Sequence, residues 1–330
     1  HSTNASGVSP AVSRRTRRHS AEATAVDRQV TVGSLTLSSP VMTASGTAGY
    51  GSELSSYVDL SQIGAVVTKS IAPYEWAGNP APRLHTVQAG MINAVGLQGP
   101  GVEYWLQNEL PKLLSTGASV VCSIWGRSVD DYASAAQMLT AAPAEVIAVE
   151  VNLSCPNLEG RGSMFAHDAE LSAEVIEATE VCNRPRWAKL SPNTDRLVEI
   201  SEAVSTAGAE AVTLVNTLLG LVFDPDTARP VLGNGGGGVS GPAIHPIAVR
   251  AVADVRAALP DGPIVGVGGV VNGWGAAELM LAGAQAVQVG TATFANPAAI
   301  IDIQDQLIAY ASSRGLHSVS ELTSAGIAPL

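Results

Sequence analysis

The chain has 330 residues, 46% of them hydrophobic and only 4% aromatic, and carries a formal net charge of −11. That length and composition provide one large core or two ordinary ones, built from Val, Ala, Leu and Ile. The acidic balance argues against a phosphate-backbone binder, and three scattered cysteines without a C-x-x-C pair exclude a disulfide framework, a zinc site or an iron–sulfur cluster carried by this chain.

Residues 1–28 hold five of the arginines around SRRTRRHS and lack an apolar centre. They read as a disordered basic leader rather than a signal peptide, with a transit segment as the other reading. No run of ~20 apolar residues offers a membrane span, so a cytoplasmic protein is expected. From Val30 onward one unit repeats: a short apolar strand, a small polar cluster, then a helical pattern. The expected strands are VMTASG (41–46), GAVVTKSI (64–71), SVVCSIW (119–125), VIAVEVNLS (146–154), RWAKLSP (186–192), AVTLVNT (211–217), PIVGVGG (263–269) and AVQVGTA (286–292). Apolar residues at three- and four-residue spacing predict helices over 130–140, 169–181, 196–205, 244–259 and 274–282, with a last one from 297 to about 314.

Eight alternations over about 260 residues fit a (β/α)₈ TIM barrel, one domain over 29–330; a doubly wound open sheet is the alternative. Two connections, 72–101 and 218–241, are too long for turns and follow strand C-termini, as binding loops do. Within the first, TVQAGMINAVGLQGPG is expected to fold as a hairpin over the mouth. GNGGGGVSG (233–241) lacks the placement of a dinucleotide fingerprint and reads as a mobile loop.

The strand VIAVEVN ends in LSCPN, because Pro156 cannot continue a ladder. This sets Asn152, Cys155 and Asn157 at a strand tip, where barrels do their chemistry; a merely buried cysteine is the plain alternative. Lys69 and Lys189 end apolar strands and need an anionic or polar partner, either a ligand or the barrel's own Glu150. The tips GVGG (266–269) and GT (290–291) present bare backbone N–H groups after strands seven and eight, a phosphate grip. A phosphorylated planar cofactor, flavin mononucleotide (FMN), fits such a mouth.

With these residues in place the sequence resembles the dihydroorotate dehydrogenases from about Val30 to Ala309. The resemblance rests on TASGT (43–47), VTKSI (67–71), NAVGLQGPG (93–101), VNLSCPN (151–157), AKLSPN (188–193), VNT (215–217), GGVSGPAIHPIAVR (237–250), GVGGV (266–270) and VGTATF (289–294). It implies an FMN-carrying barrel that oxidises (S)-dihydroorotate to orotate in pyrimidine biosynthesis. By resemblance, Cys155 is the base that takes the C5 proton, and a cysteine there marks class 1. Lys69, Asn93, Val95, Gly96, Leu97, Asn152, Asn216 and Thr217 match substrate contacts, supported by Asn157. Ser45, Lys69, Ser70, Asn152, Lys189, Val215, Gly241, Gly268, Gly269, Gly290 and Thr291 match flavin contacts.

GLQGPG and SGPAIHPIAVR look more like the catalytic subunit of subclass 1B, which works with a partner carrying FAD and a [2Fe–2S] cluster. A homodimer or heterotetramer is thereby implied. Three positions depart from that pattern: Ser123 and Gly99 stand where subclass 1B usually has asparagine, and Trp125 is bulkier than expected. Two other readings stay open: a flavin enzyme acting on another dihydropyrimidine, and a non-redox barrel holding a phosphate compound. The glycine-bearing loop from Leu158 to Phe165 is expected to open for substrate.

Overall fold

β-branched and small apolar residues run without interruption through each expected strand, which suits strands covered on both faces. A computed structural model describes residues 25–155 and 164–325 and bears this out. Eight parallel strands form one sheet: β1 (Val41–Thr43), β2 (Val66–Val67), β3 (Val120–Ile124), β4 (Val146–Asn152), β5 (Arg186–Leu190), β6 (Ala211–Leu214), β7 (Ile264–Val267) and β8 (Ala286–Val289). Their neighbours follow chain order from β2 to β7, and β8 lies between β7 and β1. The seam between β1 and β2 is closed by Gly64 N–H on Val41 O (2.8 Å) and Thr43 N–H on Ala65 O (3.3 Å). The Thr43 hydroxyl substitutes for backbone there, accepting from Val67 N (2.8 Å) and donating to Val67 O (3.1 Å). The result is the single-domain (β/α)₈ barrel.

Outer helices follow at Val129–Met138, Ala169–Ala178, Leu197–Thr206, His245–Ala258, Gly273–Leu281 and Ala299–Ser313, within two or three residues of expectation. Ser128, Asp168 and Asn272 cap three of them, each accepting a backbone N–H of the first turn. Between β1 and β2 there are only the 3₁₀ turns Glu53–Ser56 and Leu60–Gln62. After β2 the helical stretch spans 102–114, with a π-helical segment Trp105–Glu109 at its centre. The short helix Glu321–Ala325 lies beyond the elements expected from sequence.

A hairpin of Val30–Val32 and Leu35–Leu37 turns at Gly33, whose φ of 59° suits glycine. Ser34 in that turn bonds Glu210, which precedes β6, so the hairpin covers the N-terminal end of the barrel. Of the expected leader, residues 1–24 lie outside the described residues, whereas Asp27 is ordered and bridges Ser318. Among the described residues no helix is long and apolar enough to cross a membrane.

At the opposite end the two long connections pair with each other. The hairpin Leu84–Val87/Gly90–Asn93 forms over the mouth as expected, and joins Gly237–Ser240 and Leu218–Gly220 in a four-stranded antiparallel sheet. The run 233–241 is therefore not a mobile loop: four of its residues form an inner strand of this sheet. Its glycines serve close approach, since a Cβ on Gly237 would lie 2.3 Å from Asn93 O and one on Gly238 2.1 Å from Thr217 Oγ1. Ile92, Ala94 and Leu232 form a small separate core beneath the sheet.

Candidate active site

Strands β1 and β2 are shorter than the apolar runs suggest, because their last residues leave the ladder to line the mouth. Between β2 and β3 the pairing passes from Val67↔Val121 to Ile71↔Ile124, leaving one extra residue on the β2 side. Thr68 Oγ1 fills the gap by accepting from Ser123 N (3.1 Å). Such a bulge re-aims side chains, here Lys69 and Ser70, into the cavity they line.

That cavity encloses ≈ 620 Å³ at the C-terminal strand ends, under the four-stranded sheet. Ser45, Lys69, Ser70, Asn93, Val95, Gly96, Leu97, Asn152, Lys189, Val215, Asn216, Thr217, Gly241, Gly268, Gly269, Gly290 and Thr291 all line it. Two expected residues are not among these. Asn157, with most of the proposed opening loop 158–165, lies outside the described residues. Cys155 is described, but it is fully buried and its thiol donates to Asn152 O at 3.3 Å rather than facing the cavity. Burial pushes that thiol up to about 12, only partly offset by the Tyr132 hydroxyl beside it. Its neighbours Ser154 and Met164 do line the cavity, and Phe165 N–H holds Cys155 O (3.2 Å).

The cavity floor is a chain of side-chain hydrogen bonds crossing four strand ends. Ser123 Oγ meets Ser70 Oγ (2.8 Å), Asn152 Nδ2 donates to Ser70 Oγ (3.2 Å), and Asn216 Nδ2 donates to Asn152 Oδ1 (3.1 Å). Asn216 Oδ1 accepts from Thr217 N (2.8 Å), and Asn193 donates to Thr217 O (3.0 Å) while accepting from Leu219 N (2.9 Å). Asn193, within the quoted LSPN, is a residue the sequence reading did not single out; its position just past a Ser-Pro strand end was the available signal.

The two lysines differ. Lys189 Nζ reaches half-buried Ser45 Oγ (3.0 Å), and buried Gln288 Oε1 (3.4 Å) and Glu150 Oε1 (3.7 Å). Gln288 Nε2 in turn donates to Glu150 Oε2 (2.6 Å), so the ion pair with the barrel glutamate, weighed as an alternative, is formed for Lys189. Polar Gln288 inside an otherwise apolar strand was a legible but unread signal. Lys69 forms no ion pair among the described residues; it donates to Tyr50 Oη (2.9 Å) and to Gln98 O. Burial, and then the charge of Arg83, lower its ammonium to about 8.

At the far side, Gly268 (φ 136°) and Gly269 (φ 68°) wrap the N-terminal end of the helix that begins at His245, and His245 Nδ1 pairs with Gly268 O at 2.7 Å. Thr291 Oγ1 donates to Ser240 Oγ (2.8 Å), which ties β8 to the sheet above it. Gly46 lines the cavity with no atom within 4 Å of an added Cβ, so a ligand can approach that backbone closely.

Fold and site together define a (β/α)₈ barrel with a deep, amide-lined pocket at the C-terminal strand ends. The family model for dihydroorotate dehydrogenase matches residues 28–310. The chain is 45% identical over 297 residues to the dihydroorotate dehydrogenase B (NAD(+)), catalytic subunit, of Trichlorobacter lovleyi, covering 90% of this chain and 97% of that one. The proteins of the same name from Geobacter sulfurreducens (43% identical, covering 91% of this chain and 98% of that one) and Desulforudis audaxviator (44%, 91% and 97%) are similar along the same length. The chain belongs to the dihydroorotate dehydrogenase family, a family of oxidoreductases, and the expected resemblance to its B-type catalytic subunits is borne out.

Proposed function

We propose that this chain oxidises (S)-dihydroorotate to orotate in pyrimidine biosynthesis, with FMN held in the cavity. The observation that carries the reading is the hydrogen-bonded chain Ser70–Asn152–Asn216–Thr217 facing a lysine that has no carboxylate partner among the described residues. A planar ring with alternating N–H and C=O groups and one carboxylate matches amides that both donate and accept, plus a cation. Asn93 and the backbone of Val95, Gly96 and Leu97 close over it from the sheet above.

The residues present fit the cofactor. Gly241, Gly268, Gly269, Gly290 and Thr291 would hold the phosphate with backbone N–H groups. Ser45, Ser70, Lys69, Lys189, Asn152 and Val215 would hold the ring, and the open space at Gly46 admits it. Bound there, the flavin supplies the acceptor for the hydride that leaves C6 of the substrate. Cys155 would take the proton from C5 as its thiolate; it borders the cavity wall at Ser154, and its thiol must first release to solvent the proton it now gives to the Asn152 carbonyl. Asn157 is proposed to support the same contacts.

The relatives' names, catalytic subunit and NAD(+), support a second, electron-transfer subunit; the family resemblance adds FAD and a [2Fe–2S] cluster on that partner, in a homodimer or a heterotetramer. The three cysteines are free, which suits a reducing cytoplasm.

The test is anaerobic addition of dihydroorotate to the purified chain while the visible flavin band is followed. Bleaching is expected. A yellow protein that stays yellow points to another dihydropyrimidine, and a chain that stays colourless after reconstitution with FMN points to the non-redox phosphate barrel.

A further inference from the structure

The glycine at position 99 has no backbone reason to be one. Its φ is not in the left-handed region, and it pairs with Trp76 as an ordinary bridge, each N–H on the other's carbonyl at 2.9 Å. What crowds an added side chain there is the Tyr50 hydroxyl. A Cβ on Gly99 would stand 3.0 Å from Tyr50 Oη, 3.7 Å from Tyr50 Cε1 and 3.6 Å from Ile71 Cγ2.

Tyr50 comes from the loop after β1 and is fixed at both backbone ends. Its N–H donates to Glu53 Oε1 (3.0 Å), and its carbonyl accepts from the indole of buried Trp105 (2.6 Å). Its hydroxyl accepts from Lys69 Nζ at 2.9 Å and donates to Gln98 O, to which Lys69 also donates. The Lys69 ammonium stands 5.0 Å from the Tyr50 ring centroid. Burial holds the phenol well above its usual range, so it stays a neutral donor and acceptor. Lys69, without a carboxylate partner among the described residues, thus takes its position from one hydroxyl and one carbonyl.

We propose that Tyr50 is a positioning residue: its hydroxyl fixes the Lys69 ammonium against the end of the Val95–Leu97 loop, and Gly99 is glycine because that hydroxyl occupies the space beside it. The proposal rests on the reading of Lys69 as a substrate contact.

The test is a double-mutant cycle of Tyr50→Phe and Gly99→Ala, read as orotate affinity from the shift it causes in the visible flavin band, with thermal unfolding followed alongside. Tyr50→Phe keeps the ring and removes one hydrogen bond to a charged group, so orotate affinity is expected to fall roughly tenfold. Gly99→Ala displaces the hydroxyl without removing it and is expected to weaken orotate as well. In the Tyr50→Phe background the same alanine has room and is expected to cost nothing, so the two effects fail to add. Unchanged affinity in Tyr50→Phe, or strict additivity of the two, overturns the proposal. Should Tyr50→Phe fail to fold, Gly99→Ala alone decides: weakened orotate supports the role and unchanged orotate removes it. A native yellow chain whose flavin band ignores orotate overturns the substrate reading itself, and the proposal with it, which separates that failure from the failure of Tyr50 alone.

Discussion

The Cys155 thiol lies beneath the barrel mouth with its hydrogen on the carbonyl oxygen of Asn152, Sγ to O 3.3 Å. The Tyr132 hydroxyl donates to the same oxygen at 2.6 Å, and both side chains are buried. A thiol held near 12 by burial is almost wholly protonated at neutral pH, and its thiolate fraction grows tenfold per pH unit. If Cys155 is the base, the rate of flavin bleaching by saturating dihydroorotate rises with pH through the neutral and alkaline range. Cys155→Ala is expected to keep the flavin and slow bleaching by roughly 10² to 10⁴, with Cys155→Ser in between. A pH-independent rate in the native chain, or an unchanged rate in Cys155→Ala, removes the base role.

Lys69 gives the opposite pH sign. Its ammonium, lowered to about 8 by burial and by Arg83, is charged below that pH and neutral above it. A carboxylate ligand keeps its own charge across that window and binds the charged form. Orotate affinity is therefore expected to be flat up to about pH 7 and to weaken by about tenfold per unit well above pH 8. Titrating orotate against the flavin band from pH 6 to 10 measures this. Affinity that stays level to pH 10 would take the carboxylate contact away from Lys69.

Inside the barrel, Glu150 is the carboxylate that faces Lys189, at 3.7 Å, and Gln288 bonds it from the other side. Removing Glu150 leaves a buried ammonium with only Ser45 and the Gln288 amide. Glu150→Ala is expected to lower unfolding free energy by roughly 3 kcal/mol, because an uncompensated buried charge outweighs the cavity left behind. Chemical denaturation of the flavin-free chain, wild type against variant, checks it; a change under about 0.5 kcal/mol would show that the Lys189–Glu150 pair adds nothing to stability.

Trp125 replaces a smaller expected side chain and packs edge-on against Trp76, ring centroids 6.0 Å apart. The Trp76 indole donates to Gly96 O at 3.0 Å, and Arg127 covers its ring at 4.7 Å. Trp76→Phe keeps the packing and loses the donor to the loop over the substrate. Its KM for dihydroorotate is expected to rise about three- to tenfold with thermal stability little changed. An unchanged KM would make the indole contact incidental.

What the sequence carried was local. Runs such as VIAVEVN and AVQV are too apolar for exposed strands, and their number and spacing lead to the barrel and its mouth. The bulge at Lys69 and Ser70 could not be read, because it depends on the register with β3. The strand Gly237–Ser240 was hidden for a similar reason: GGVS has no β signature, and it is held by partners about 20 and 150 residues away. Strand-tip position located Cys155 but not its depth, since the direction of a side chain at a strand end is set by Tyr132 and Phe165 on other elements. Tyr50 and Gly99 are 49 positions apart and carry no joint pattern in the sequence, although each is ordinary by itself.

Gly269 separates a structural glycine from a ligand-facing one. Its φ of 68° disfavours any side chain, and a Cβ would meet His245 Cβ at 2.7 Å and Gly241 O at 2.8 Å. The left-handed backbone alone costs about 1–2 kcal/mol for a non-glycine residue, and the clash would push the His245 helix away from the strand tip it packs on. Gly269→Ala is therefore expected to fold with reduced stability and to lose flavin on gel filtration, read as the ratio of visible to ultraviolet absorbance. Gly46→Ala has the opposite geometry: no atom lies within 4 Å of the added carbon, which enters the space proposed for the ring. It shares the left-handed penalty at φ 89° but not the clash, so flavin content is read for each variant against its own measured stability loss. Flavin retained by both would move the cofactor away from this end of the cavity, and loss from Gly269→Ala alone would assign that end to the phosphate.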